Sequence, residues 1–213
     1  MKKFADMPLR TLTGWLYLAG AALLVLCMAG RLAVDTLFYA AGRIYPQTIT
    51  LADTGLYTLS QLEWDGGEGL TALTGDVQLY LQPGQPVRYL RLYAEYPGGA
   101  GYEKDLYWHL PGRGYTPRCR VWPTAGPDGS WDYTVPLLAG QNLRLDLADQ
   151  SGAEIRLKKI ELNQRPPLAD YCIPTLWQLA CLAVLPGLLG CAAGLVRDAA
   201  ARPRHTKKGG SRP

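Results

Sequence analysis

Two long runs without a single charged side chain dominate this sequence. Thr11 to Gly30 is 20 residues and Tyr171 to Val196 is 26 residues, and neither contains Asp, Glu, Lys or Arg. A helix rises about 1.5 Å per residue, so about 20 apolar residues cross a hydrocarbon layer of roughly 30 Å. Both runs meet that length. Trp15 and Tyr17 lie near the start of the first, and Tyr171 and Trp177 near the start of the second. Aromatic side chains at those depths suit the headgroup region. Pro174 is placed where a helix start tolerates it, and Pro186, mid-run, is expected to kink the helix.

Charge outside the runs sets an expected orientation. Residues 1–10 carry a balance of +2 and residues 197–213 a balance of +5, which leaves −3 in the middle of a chain of net charge +4. Basic flanks stay in the cytoplasm. Both termini are therefore expected inside and the middle outside. The first run is longer than the 7–15 apolar residues of a cleaved signal, and Arg31 interrupts any small-residue cleavage site directly after it. It reads as an uncleaved helix. Its apolar pattern continues to Ala41, with Arg31 and Asp35 spaced to pair on one helix face. The resulting organisation is a cytoplasmic segment 1–10, a first span with an outward extension 11–41, an extracytoplasmic domain 42–170, a second span 171–196 and a basic cytoplasmic tail 197–213. The tail reads as a topology signal in contact with anionic lipid rather than as a nucleic-acid site. Small residues, among them the Gly190-x-x-x-Gly194 pair, permit close helix packing.

The middle segment has the grammar of strands. Short runs rich in Val, Leu, Ile, Tyr and Trp recur between clusters of Gly, Pro, Asp and Asn. Candidate strands lie at Thr48–Leu51, Leu56–Trp64, Val77–Leu81, Val87–Tyr96, Leu106–Leu110, Arg118–Trp122, Trp131–Pro136, Leu143–Leu147 and Glu154–Leu162. Leu143, Leu145 and Leu147 alternate strictly with Arg144 and Asp146. In Val87–Tyr96 the alternation is read through Val87, Tyr89 and Tyr93. In the last candidate the apolar phase changes, which places a β-bulge near Lys158–Lys159. Nine short strands separated by turn signals predict a mainly β chain, an antiparallel β-sandwich between two helices.

The stretch LRLDLADQSGAEIRLKKIELN, Leu143 to Asn163, resembles the closing strands of galactose-binding-like jelly rolls. There an Arg-x-Asp strand precedes a short turn and a strand of the form x-Ile-x-Leu-x-x-Ile-x-Leu. The resemblance implies a jelly-roll sandwich similar to carbohydrate-binding modules. Such domains also occur as extracytoplasmic appendages of bacterial membrane proteins that handle cell-surface polysaccharide.

The catalytic motifs with a readable mechanism are missing. There is no Gly-x-Ser-x-Gly elbow, HExxH, CxxC or phosphate loop, and the two histidines, His109 and His205, are far apart in sequence. The acids of the middle segment read as solvated strand faces and turn residues. No enzymatic activity, cofactor or metal is expected. Cys119 and Cys172 are placed where an extracytoplasmic disulfide is allowed.

The positive signal is aromatic. Tyr102, Tyr107, Trp108, Tyr115, Trp122, Trp131 and Tyr133 crowd a 32-residue window rich in Gly and Pro. A sugar ring presents a C–H face that stacks on Tyr or Trp, while neighbouring charged groups bond its hydroxyls. The candidate ligand residues are Tyr102, Trp108, Tyr115, Trp131, Arg113 and Asp128. Set against this, Trp122 and Trp131 fall inside strand candidates and read more readily as core, whereas Tyr102 and Tyr115 fall in loops. The expected role is a membrane-anchored accessory protein. Its partners would be the lipid bilayer, an envelope polysaccharide or a multi-span, glycan-handling membrane protein, without nucleic acid. The alternative is an assembly subunit whose sandwich binds protein rather than sugar.

Overall fold

The computed structural model describes residues 7–99, 104–136 and 141–201. They divide into two units, one of Met1–Asp35 with Pro166–Pro213, the other Thr36–Arg165.

The Thr36–Arg165 unit is built on two antiparallel sheets. Its strands, in chain order, are β1 (Gln47–Ile49), β2 (Tyr57–Ser60), β3 (Leu62–Trp64), β4 (Gly69–Ala72), β5 (Val77–Leu81) and β6 (Tyr89–Glu95). They continue with β7 (Leu106–Trp108), β8 (Arg120–Val121), β9 (Thr124–Ala125), β10 (Trp131–Thr134), β11 (Leu143–Ala148) and β12 (Glu154–Leu162). The first sheet runs β3-β4-β12-β6-β10-β9, with β1 also paired to β12; the second runs β2-β5-β11-β7-β8. Inward residues of both sheets meet in one apolar core. Val77, Leu79 and Leu81 of β5 and Leu143, Leu145 and Leu147 of β11 are fully buried, and they face Leu90 and Leu92 of β6 and Ile155, Leu157, Ile160 and Leu162 of β12. Each such side chain stabilises the fold by about 1.5–3 kcal/mol relative to exposure.

The two-residue period accounts for most of these elements, and its exceptions are informative. The expected single strand Leu56–Trp64 is divided at Gln61, whose φ of 58° turns the chain from the second sheet into the first. β4 and β9 have no counterpart in the sequence reading, because Gly69–Ala72 and Thr124–Ala125 are too short and too polar to show a period. In β6 the inward face is Leu90, Leu92 and Ala94, not the tyrosine phase. Tyr89, Arg91 and Tyr93 face outward, where Arg91 forms two hydrogen bonds with Asp132 (2.6 and 2.8 Å). The bulge in β12 falls where the phase change put it. Pairing with β6 shifts register between Leu157 and Lys159, so Ile155 and Leu157 before it and Ile160 and Leu162 after it all reach the core.

Asn163, directly after β12, closes the unit. It is fully buried with φ 52°, a conformation Asn adopts more readily than most residues. Its Oδ1 accepts from the backbone N–H of Arg88 (2.7 Å) and Tyr89 (3.3 Å), and its Nδ2 donates to Gln85 Oε1 (3.0 Å) and the Pro86 carbonyl (2.9 Å).

The other unit holds two helices long and apolar enough to cross a membrane. Helix α1 spans Leu9–Ala40, a short α2 spans Leu168–Cys172, and α3 spans Leu176–Ala201. The second apolar run is therefore not one helix. Ile173 precedes Pro174 and is extended, as proline demands of its neighbour, and Thr175 and Gln178 then cap α3 reciprocally (2.8 and 3.2 Å). Helices α1 and α3 pack antiparallel through glycine. A Cβ at Gly20 would meet Leu182 (3.0 Å), one at Gly190 would collide with Thr13, and one at Gly194 would meet Leu9 (3.1 Å). Helix α3 runs through Pro186, whose missing N–H disturbs the preceding turn, and there the Tyr17 hydroxyl donates to the Ala183 carbonyl (2.9 Å). Near the far end of the first apolar run the Tyr171 hydroxyl donates to the buried Asp35 (3.0 Å), and Arg31 lies 5.2 Å from the Tyr171 ring centre. Cys119 and Cys172 are both free thiols; Cys119 is buried, 3.4 Å from the Thr116 hydroxyl.

Candidate functional site

The alternation that buries the leucines of β11 turns Arg144 and Asp146 to the outer face of the second sheet. Pairing register then determines their neighbours. Arg144 stands opposite Tyr80 of β5 and Tyr107 of β7, Tyr80 opposite Thr58 of β2, and Tyr107 opposite Arg120 of β8. One row across the sheet thus reads Thr58, Tyr80, Arg144, Tyr107, Arg120. In the adjacent row Asp146 stands opposite Gln78, and its backbone N–H donates to the Asp105 carbonyl (2.9 Å).

Charges and rings on this face interlock. The Arg144 guanidinium lies 4.4 Å from the Tyr107 ring centre and 5.8 Å from that of Tyr115, and donates to Asp146 (2.9 Å). Arg120 forms an ion pair with Asp105 and lies 3.7 Å from the Trp122 ring centre. Each cation–ring contact contributes about 0.5–2 kcal/mol, more where water is excluded. Tyr115 is delivered by the loop after β7. Leu110 and Gly114 form a two-way backbone bridge (3.0 and 2.9 Å), and left-handed backbone at Gly112 and Gly114 tightens the turn. Its ring packs against Tyr80 (5.6 Å, tilted 57°) and edge-on against His109 (5.4 Å).

In both ion pairs the acid is sunk and the base is the outer member. Side-chain exposure is 2% for Asp105 against 26% for Arg120, and 7% for Asp146 against 20% for Arg144. Burial pushes the phenols of Tyr107 and Tyr115 above the ordinary tyrosine value, so both remain hydroxyl donors at neutral pH. Burial works against the Arg144 charge, but Asp146 outweighs it and the guanidinium is held above its usual value. The face therefore offers the partly exposed rings of Tyr80 and Tyr115 and fixed guanidinium groups, with Tyr107 itself buried. That is equipment for recognising a polar ligand with flat apolar faces. Among the described residues no group of three or more His, Cys, Asp or Glu side chains is arranged to hold a metal ion.

The sequence-derived candidates divide. Tyr115 belongs to this face, and Arg113 is exposed in the turn two residues before it. Trp108 is opposite Leu143 and Trp131 opposite Leu92, so both share the inward faces and pack against the core from their half-buried positions. Lys104 Nζ lies 4.9 Å from the Trp131 ring centre. Asp128 is exposed in the turn Pro127–Gly129 between β9 and β10, on the other sheet. Tyr102 lies outside the described residues. Trp122, read as core, is 65% exposed, because β8 ends at Val121 and Trp122 follows Arg120 on the outer side. Tyr80, Arg120, Arg144 and Asp146 were not among the candidates. The alternation of Leu143–Leu147 does put Arg144 and Asp146 on one outer face, but only cross-strand register brings Tyr80, Tyr107 and Arg120 beside them.

No protein-family model matches the chain, and neither does any curated protein. Among solved structures, the chain aligns with a module described as "a new low affinity xylan binding module CBM86" from the xylanolytic gut symbiont Roseburia intestinalis. The identity is 12% and the TM-score 0.36, over 60% of this chain and 99% of that one. A likeness at that level carries no residue across.

Proposed function

We propose that this chain is a membrane-anchored binding protein whose second-sheet outer face takes a glycan. The two apolar helices would hold it in the bilayer with the sheets outside the cell. The observation that carries this reading is the row of Tyr80, Arg144, Tyr107 and Arg120 with Tyr115 beside it. Tyrosine faces suit the C–H face of a sugar ring, while guanidinium and hydroxyl groups suit its oxygens. Binding rather than turnover is the reading, because the acids of this face, Asp105 and Asp146, are sunk beneath arginines and not presented to a scissile bond.

The test uses the full chain in phosphatidylcholine nanodiscs against an array of envelope and plant-type polysaccharides. Saturable binding that weakens about tenfold in Tyr115→Ala, equal to about 1.4 kcal/mol, is expected. No binding anywhere on the array, together with a membrane protein recovered by crosslinking through the same face, would overturn it in favour of an assembly subunit.

A further inference from the structure

We infer that the glycan taken by this face is acidic, a sugar chain bearing carboxylates, an inference that rests on the glycan-binding reading above. Each of the two ion pairs described on this face, Arg120 with Asp105 and Arg144 with Asp146, is neutral in formal charge. Depth breaks that symmetry. Asp105 and Asp146 are almost wholly buried, whereas the side chains of Arg120 and Arg144 that pair with them are 26% and 20% exposed. A ligand approaching from solvent meets the cations first.

Those cations are also held in place. Arg144 is fixed between Tyr107 and Tyr115 and tied to Asp146; Arg120 is fixed on Trp122 and tied to Asp105. A guanidinium immobilised on an aromatic ring suits a planar carboxylate better than a lone hydroxyl. The segment that delivers Tyr115 and leads into β8 adds Arg113 and Arg118, both exposed, and no acid: from Leu110 to Val121 the chain contains Arg113, Arg118 and Arg120 and neither Asp nor Glu. Asp76 is a further acid near this row; its carboxylate accepts from Gln78 (2.8 Å) beside the Asp146 position. A uronic acid polymer answers this arrangement, its ring faces on Tyr80 and Tyr115 and its carboxylates at Arg144 and Arg120.

The experiment compares polygalacturonate, alginate and hyaluronate, each beside its carboxyl-reduced counterpart, with neutral xylan and β-glucan. The full chain in phosphatidylcholine nanodiscs is titrated with each by calorimetry. The basic tail would attract any polyanion, so each measurement is repeated with Arg144→Gln/Asp146→Asn, which removes both charges of one pair while the tail is unchanged, and with Arg144→Lys, which keeps the charge and loses the planar fork. The expected result is binding of at least one acidic polymer, about tenfold or more tighter than its reduced form, weakening with salt, abolished in the double variant and reduced in Arg144→Lys. Equal affinity for acidic and reduced polymers would overturn the acidic inference and leave the glycan reading standing. Unchanged binding in the folded double variant, or in Arg144→Lys should the double variant fail to fold, would assign the attraction to the tail and also overturn it. No binding to any polymer would overturn both readings.

Discussion

Asn163 illustrates how a single side chain closes the fold. All four hydrogen-bonding valences of its amide are used, two accepting and two donating, between the end of β12 and the segment Gln85–Tyr89. Asn163→Asp preserves the shape but turns two donations into repulsions between oxygens. We expect it to lower unfolding stability by about 3 kcal/mol, measured by denaturant titration, because two buried donations are lost and a carboxylate oxygen is set against two acceptor oxygens. A loss below about 0.5 kcal/mol would contradict this. Trp108 and Tyr115 form a second contrast at this scale. Trp108 packs inward, so Trp108→Ala should cost about 2–4 kcal/mol of stability. Tyr115 is half-exposed on the outer face, so Tyr115→Ala should leave the unfolding midpoint nearly unchanged while ligand affinity falls. The reverse ordering of the two stability losses would place the binding face elsewhere. Composition could nominate both aromatics; only strand phase separates them.

Among the elements, β12 shows what the sequence made legible and what it did not. Its phase change was visible as Ile155 and Leu157 against Ile160 and Leu162, and a bulge is the local device that brings both pairs to one core. Deleting one of the two adjacent lysines, 158 or 159, removes the bulge and leaves Ile, Leu, Ile and Leu in strict alternation. That deletion should be tolerated, with a loss of about 1 kcal/mol or less. Deleting Glu161 instead turns Leu162 outward and displaces Asn163, and should unfold the sheets. Circular dichroism melting of the two deletions checks the ordering; equal melting losses would contradict the bulge. The helix pair was legible through its small residues. Thr13 and Gly190 meet closely enough that a Cβ on Gly190 would lie 3.3 Å from the Thr13 Cβ, near the separation a disulfide requires. Thr13→Cys with Gly190→Cys, in a background lacking the native cysteines, should lose both free thiols on mild oxidation; two persistent thiols would contradict the packing. The short strands β4 and β9, the division at Gln61 and the neighbours of Arg144 were not legible. Each depends on which strand lies alongside, and local periodicity carries no information about that.

For the whole molecule, segregation of charge is the organising fact. Basic residues cluster at both ends of the chain, two uncharged runs follow inward, and a mildly acidic middle folds into two sheets around one core. The glycan reading requires those sheets to lie outside the cell, since an envelope polysaccharide is met only there. Labelling with a membrane-impermeant maleimide in intact cells tests this most directly, using single cysteines at Asp128, in an exposed turn of the sheet unit, and at Ser211, in the basic tail. A glycan-binding face held outside by two spans predicts rapid labelling of Asp128→Cys in intact cells and labelling of Ser211→Cys only after permeabilisation. Labelling of Ser211→Cys in intact cells, or protection of Asp128→Cys, would contradict it.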